Sequence, residues 1–115
     1  MEKRHALYLF LDDIREADIP SITNQFKYYC VTKHVNGAKY FVLQAVTNGI
    51  NEIWFDLDHD LGDYASQGGD AIKLVDWLVE NFHDENVNFK FHFHSMNPVG
   101  VQNMKNAVEK YWEVY

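Results

Sequence analysis

Ile53-Trp54-Phe55-Asp56-Leu57-Asp58-His59-Asp60-Leu61-Gly62 decides how this chain is read. An apolar run typical of a buried strand passes directly into four ionisable side chains within five positions. Desolvating unpaired carboxylates costs roughly several kcal/mol each, so core packing does not explain the cluster. A cation, or a set of positive partners, has to offset the repulsion. Two other segments end the same way. Leu7–Leu11 leads into Asp12-Asp13, and the run from Phe89 leads into His92-Phe93-His94-Ser95. Three strand-like runs that each end in chemistry point to one shared site.

The pattern around these runs alternates strand and helix. Ala6–Leu11 is apolar throughout, as in a strand buried on both faces. Residues 14–26 include Pro20 and lack helical periodicity, so they read as a loop with at most one helical turn. Tyr28–Lys33 is β-branched and aromatic and reads as a second strand. From Asn36, the residues Ala38, Phe41, Val42, Ala45 and Val46 form one apolar helical stripe, stopped by Asn48-Gly49. Glu52–Leu57 is the third strand. Asp70 is the expected N-cap of a helix burying Ala71, Val75, Leu78 and Phe82. Lys90–His94 is the fourth strand. Asn97-Pro98 opens a last helix with Val101, Met104, Val108 and Tyr111 on one face. Met96, Met104 and the aromatic residues of that helix read as core. The expected fold is α/β: a mostly four-stranded parallel sheet in a three-layer α/β/α sandwich. Ligands of such sheets bind outside the carboxyl ends of the strands, where all three polar clusters fall.

At 115 residues the chain has the size of one domain, residues 1–115, and its 47% hydrophobic and 16% aromatic content suits a packed globule. A net charge of −7 argues against a long groove for duplex DNA, but not against a small phosphate-bearing ligand. The single cysteine, Cys30, allows no internal disulfide and fits a reducing compartment. No apolar run has membrane-spanning length and residues 1–20 carry no signal-peptide pattern, so a cytoplasmic protein is expected.

Each cluster has a chemical and a plain reading. Asp12-Asp13 is either a turn cap or part of a metal site for a hard cation, and the later carboxylates favour the metal. Arg15 either binds phosphate or forms a surface ion pair. Asp56 and Asp58 share a strand face if the strand runs that far, and Asp58, nearest its end, is the choice for central ligand or nucleophile. Asp60 is a further ligand or a turn cap. His59 is a ligand, a general acid or a loop anchor. In Lys90–His94, alternation puts Phe89, Phe91 and Phe93 on one face and Lys90, His92 and His94 on the other, so both histidines are expected to reach one ligand. Ser95 and Asn97 lead into a helix whose free N–H groups favour an anion, though both are also ordinary caps. Gly62–Gly69 reads either as a glycine-hinged loop over the site or as a plain connector.

Asp12-Asp13-x-Arg15, then Leu57-Asp58-His59-Asp60-Leu61-Gly62, then His94-Ser95-x-Asn97-Pro98-Val99-Gly100, resembles the cyclic-phosphate processing receiver domain family over nearly the whole chain. The resemblance implies a receiver-type fold, with Asp12 and Asp13 as the metal-binding acidic pair. Asp58 then stands at the phosphoacceptor position and Ser95 near the receiver Ser/Thr. It also implies phosphoesterase-like processing of cyclic phosphates on nucleotides or RNA ends. Receivers have five strands and a lysine after the fifth. This chain is expected to lack both, which argues against a phosphorelay switch.

The combined expectation is a metal-assisted phosphoesterase. Asp12, Asp13, Asp58 and Asp60 hold a divalent ion, Mg²⁺ or Mn²⁺ from the carboxylates, with Zn²⁺ or Fe²⁺ admitted by the histidines. Asp58, His94, His92 and His59 are the catalytic candidates, and Arg15, Ser95 and Asn97 the phosphate-binding ones. The alternative is a receiver-like module that binds metal, nucleotide or a protein without turnover, docking through Tyr111, Trp112 and Tyr115 if they are exposed.

Overall fold

The computed structural model describes residues 2–115. The elements run β1 Arg4–Leu11, α1 Ile19–Gln25, β2 Phe26–Thr32, α2 Val35–Thr47, β3 Glu52–Leu57, α3 Ala71–Phe82, β4 Asn88–Phe93, α4 Pro98–Val108 and β5 Glu113–Val114, with a 3-10 turn at Gly62–Ser66 before α3. All five strands are parallel, in the order β2-β1-β3-β4-β5. The sheet therefore has five strands rather than four. β5 is only two residues long and pairs Glu113 with Lys90 and Val114 with Phe91, too short to leave a periodic signal. No lysine lies within it.

Alternation sorts the side chains onto two unlike faces. Leu7, Leu9, Leu11, Ile53, Phe55, Leu57, Phe89 and Phe91 lie on one face, in the main core. They pack against Ala38, Val42 and Ala45 of α2, Leu74, Val75 and Leu78 of α3, and Met104 and Val108 of α4. The opposite face carries Tyr8, Phe10, Trp54, Asp56, His92 and His94. Its small core is Ala6, Ile22 and Phe26, and α1 is its only helix. One face thus has three helices and the other a single short one.

α1 corrects the loop expected over residues 14–26. Asp18 caps it by accepting from the Ser21 N–H at 3.2 Å, and Pro20 sits in its first turn, where a missing N–H costs nothing. Seven residues with only Ile22 buried give no apolar stripe to detect. Two other expectations also change. Tyr111 lies beyond α4, in the turn before β5, and is exposed. Met96 stands 84% exposed in the β4–α4 loop rather than in the core. The stop after α2 is as expected, with Asn48 as C-cap and Gly49 at φ 84°. Among the described residues, no helix is long and apolar enough to cross a membrane.

Candidate active site

The chain steps from β1 outward to β2 and then back across to β3, so the strand order reverses between β1 and β3. A crevice opens at the carboxyl ends of strands on either side of such a reversal. Asp12 and Asp13 leave β1 there and Asp58 leaves β3. One oxygen from each of these three carboxylates lies within 4.8 Å of the other two. Arg15, Asp60, Gly62, Ser95 and Met96 complete a cleft of about 340 Å³.

Asp12 is almost wholly buried and rigidly held. Its Oδ1 accepts from the Ile14 and Arg15 backbone N–H groups, both at 2.8 Å, and its Oδ2 meets Nε2 of His94 at 2.8 Å. The other imidazole nitrogen, Nδ1, meets Asp56 Oδ1 at 2.5 Å, and the Tyr8 hydroxyl donates to Asp56 Oδ2. His94 also stacks on Phe10 at 5.1 Å and 6°. The result is a chain of contacts, Asp12–His94–Asp56–Tyr8, running from the cleft to the α1 face. An imidazole bonded to carboxylates through both nitrogens donates through both, and so is held as the cation.

Ionisation follows from these contacts. Burial pulls the His94 pKa down, but the hydrogen bonds and charges of Asp56 and Asp12 outweigh it and hold the ring above the usual histidine value. Burial raises Asp12, but the Ile14 and Arg15 N–H groups and His94 overcome it and hold the carboxyl below its usual range. Asp58 goes the other way. Burial raises it, and the Asp12 charge adds to the rise beyond what the Ser95 and His59 hydrogen bonds and His94 recover. A raised histidine stabilises the fold fully below its unfolded pKa, and that stability is lost as pH climbs through the folded pKa. A lowered carboxyl stabilises above its unfolded pKa and loses that contribution as pH falls through the folded value. The Asp12–His94 pair is therefore expected to stabilise the fold most between the two titrations. Urea midpoints should decline as pH rises above about 6.5, the unfolded histidine value, with a slope that His94→Gln flattens. An unchanged slope in that variant would assign the decline elsewhere.

The remaining candidates separate. Asp56 and Asp58 do not share surroundings, because β3 ends at Leu57. The Asp58 N–H donates to the Leu11 carbonyl, the chain turns, and Asp58 Oδ1 accepts from the His59 N–H. His92 is on the same sheet face as His94 but is not brought to the carboxylates. It is exposed beside Tyr115, with Nδ1 3.2 Å from the Tyr115 carbonyl. His59 pairs with Asp60 at 2.8 Å and packs so closely on Gly100 that a Cβ there would stand 2.6 Å from its ring. This is the loop-anchor geometry. Asp60 lines the cleft but is tied to His59 and to the Asn97 amide. Asn97 caps α4 by accepting from the Gly100 N–H at 2.9 Å, so its two ends are both engaged. Ser95 remains in the cleft beside Asp58, its hydroxyl accepting from the Asn97 N–H at 3.1 Å. Arg15 lies at the rim, with Nη1 held 3.1 Å from the His94 carbonyl. Asp70 stands at the N-cap of α3, yet its carboxylate accepts from the Leu61 N–H rather than capping the helix. His59, Asp60 and Asp70 form a second group close enough to hold an ion. Sequence reasoning passed over Tyr8, and it set Asp56 beside Asp58 rather than beside His94 and Tyr8. Their signal was parity: 8 and 10 in β1 and 12 just beyond it share the face of 56 in β3 and 94 after β4.

The donor set suits a hard cation. It is oxygen only, and no histidine nitrogen joins the three-carboxylate group. With three of its lone-pair positions in use, Asp12 has fewer left for a cation.

Gly62 closes the cleft from the β3–α3 side at φ 56°, where a Cβ would stand 2.8 Å from Asp13 Oδ2. The segment after it is tied down rather than loose. Asn36 N donates to the Gln67 carbonyl, and Lys33 Nζ lies 5.8 Å from the Tyr64 ring centre. Gly62→Ala is expected to cost about 1–2 kcal/mol in backbone strain and to displace Asp13. Mn²⁺ affinity and the thermal midpoint should therefore fall together. Unchanged Mn²⁺ affinity would remove Asp13 from the donor set.

A family model described as Cyclic-phosphate processing Receiver domain matches residues 7–110. No curated protein matches. Among solved structures, a fusion carrying amino acids 181–211 of the yeast Spc42 trimeric coiled coil is similar over 97% of this chain and 68% of that one, at 13% identity and a TM-score of 0.54. At that identity the likeness speaks for the fold alone.

Proposed function

The chain belongs to the cyclic-phosphate processing receiver domain family, and on that premise we propose that it is a metal-assisted phosphoesterase opening a cyclic phosphate on a nucleotide or an RNA end. One observation carries the reading: Asp12, Asp13 and Asp58 converge within 4.8 Å at the switch point of the sheet, beside Arg15 and Ser95.

Asp13 and Asp58 would hold Mg²⁺ or Mn²⁺, with Asp12 completing or orienting the set. The chemistry supplied at that point is Lewis-acid polarisation of a phosphoryl oxygen and activation of water. The chain's own groups do the rest. Arg15 is tethered at the rim through the His94 carbonyl and neutralises charge that develops on the phosphoryl oxygens. The His59 N–H fixes Asp58, with the Ser95 hydroxyl beside it in the cleft. His94 acts on Asp12 rather than on substrate, because both its nitrogens are already bonded to carboxylates. It supplies from the end of β4 the positive charge that receivers draw from a lysine after β5. Asp56 and Tyr8 orient that ring.

The test is a screen of 2′,3′- and 3′,5′-cyclic nucleotides and cyclic-phosphate RNA ends with Mg²⁺, Mn²⁺, Zn²⁺ and Fe²⁺. A single ring-opened product that disappears with a chelator is expected. Stoichiometric binding without product over long incubation would favour a binding module instead. For that second reading, Tyr111 and Tyr115 are exposed, whereas Trp112 packs on the core.

A further inference from the structure

The face of the sheet that α1 only partly covers holds two neighbouring depressions. One, of about 320 Å³, lies between Arg15, Glu16, Asp18, Asp56 and His94. The other, of about 360 Å³, continues it toward Trp54, His92, Tyr115 and Gln25. Tyr8, Ser21 and Ile22 line both, and Arg15 lines both the first depression and the acidic cleft. The two depressions therefore adjoin along the sheet beneath α1, and Arg15 stands between the first of them and the acidic cleft.

The chemistry from the cleft through the two depressions is ordered. It begins at the cation-holding carboxylates and Arg15, which suit a phosphate. It continues between Glu16 and Asp18, whose carboxylates can accept from hydroxyls. It ends among aromatic rings, with the Gln25 amide on the wall. Arg4 and Lys90 lie 4.8 and 5.4 Å from the Trp54 ring centre, with Lys90 paired to Glu113 and the indole N–H donating to Glu52 at 2.8 Å. From Trp54 to Asp58 the chain advances four residues, about 13 Å at strand rise. Each depression has the volume of a small-ligand pocket, and bases commonly stack on aromatic side chains in such settings. We infer that the groove beneath α1 is a nucleobase subsite, so that the substrate is a nucleotide read at both ends, phosphate at the acidic cleft and base against Trp54 and Tyr115. The phosphate end rests on the function proposed above; the base end stands on the groove alone.

Binding without turnover separates the two. Adenosine, adenosine 5′-monophosphate, inorganic phosphate and N-acetyltyrosine amide are titrated, each with Mg²⁺, into ¹⁵N-labelled protein. Adenosine and the monophosphate should shift the Trp54 indole N–H and the Tyr115 amide, while phosphate should shift only the segments around Asp13 and Asp58. Ser21 is exposed on α1 between the two depressions, and Ser21→Trp fills the groove without touching the cleft. It should weaken adenosine at least tenfold, the scale of one stacked base, and leave phosphate unchanged. The inference is overturned if adenosine leaves Trp54 and Tyr115 unmoved, if Ser21→Trp binds it as wild type does, or if the tyrosine amide binds more tightly, which would make the groove a protein-docking site. Failure of phosphate to bind while adenosine does would count against the proposed function and not against the subsite.

Discussion

His94→Ala is expected to be the most damaging single substitution, costing about 3–5 kcal/mol of folding stability, the range for removing one partner of a buried ion pair. The ring lies between two carboxylates that have little access to water, with Asp12 2% exposed and Asp56 9%. Without the imidazolium they face each other with no cation between them, and the Tyr8 hydroxyl keeps a partner that is itself destabilised. The imidazolium stabilises the fold fully below about pH 6.5 and loses that contribution as pH rises, so the loss should be larger at pH 5 than at pH 8. Urea denaturation of the variant at pH 5 and pH 8 measures both effects. A loss below about 1 kcal/mol at pH 5 would mean that water reaches these carboxylates freely, as in exposed pairs.

Asp58→Asn is expected to separate stability from activity. Burial and the Asp12 charge raise the Asp58 pKa, so its ionised form is disfavoured by the fold. An amide of the same shape removes that repulsion and should raise the denaturation midpoint at neutral pH. The same change removes a principal oxygen donor and should lower the rate on a responsive cyclic phosphate by about 10²-fold or more, the lower end for groups acting directly in the chemistry. Strained polar groups kept at a cost in stability are characteristic of functional sites. A variant that is both less stable and fully active would reverse the assignment and make Asp58 a structural residue.

Much of this was legible in the residues. Alternation in Phe89–His94 gave the two faces of β4, because a strand buried on one side leaves no freedom in its period. The apolar runs located β1 and β3, and their polar ends located the cleft, since a parallel sheet exposes its carboxyl rim. What was hidden depended on where each strand stops. Asp56 and Asp58 are two positions apart and read as neighbours on one face. The end of β3 at Leu57 sends the first to Tyr8 and His94 and the second to the cleft. His92 and His94 were separated in the same way, since the carboxylates meet only the one beyond the last β4 residue. α1 and β5 escaped because seven residues with one buried side chain, and two residues on an edge, are too short for periodicity to register. Tyr8 looked like one more apolar residue in a buried strand. Only the tertiary contact with Asp56 gives its hydroxyl a purpose.

The central claim is that Asp13 and Asp58, with Asp12 behind them, hold one divalent cation. Electron paramagnetic resonance of free Mn²⁺ during titration tests it most directly, on the wild-type chain and on Asp13→Asn and Asp58→Asn. One site per chain, displaced by excess Mg²⁺ and weakened at least tenfold in each variant, is the predicted result. Equal Mn²⁺ binding by all three proteins would contradict it.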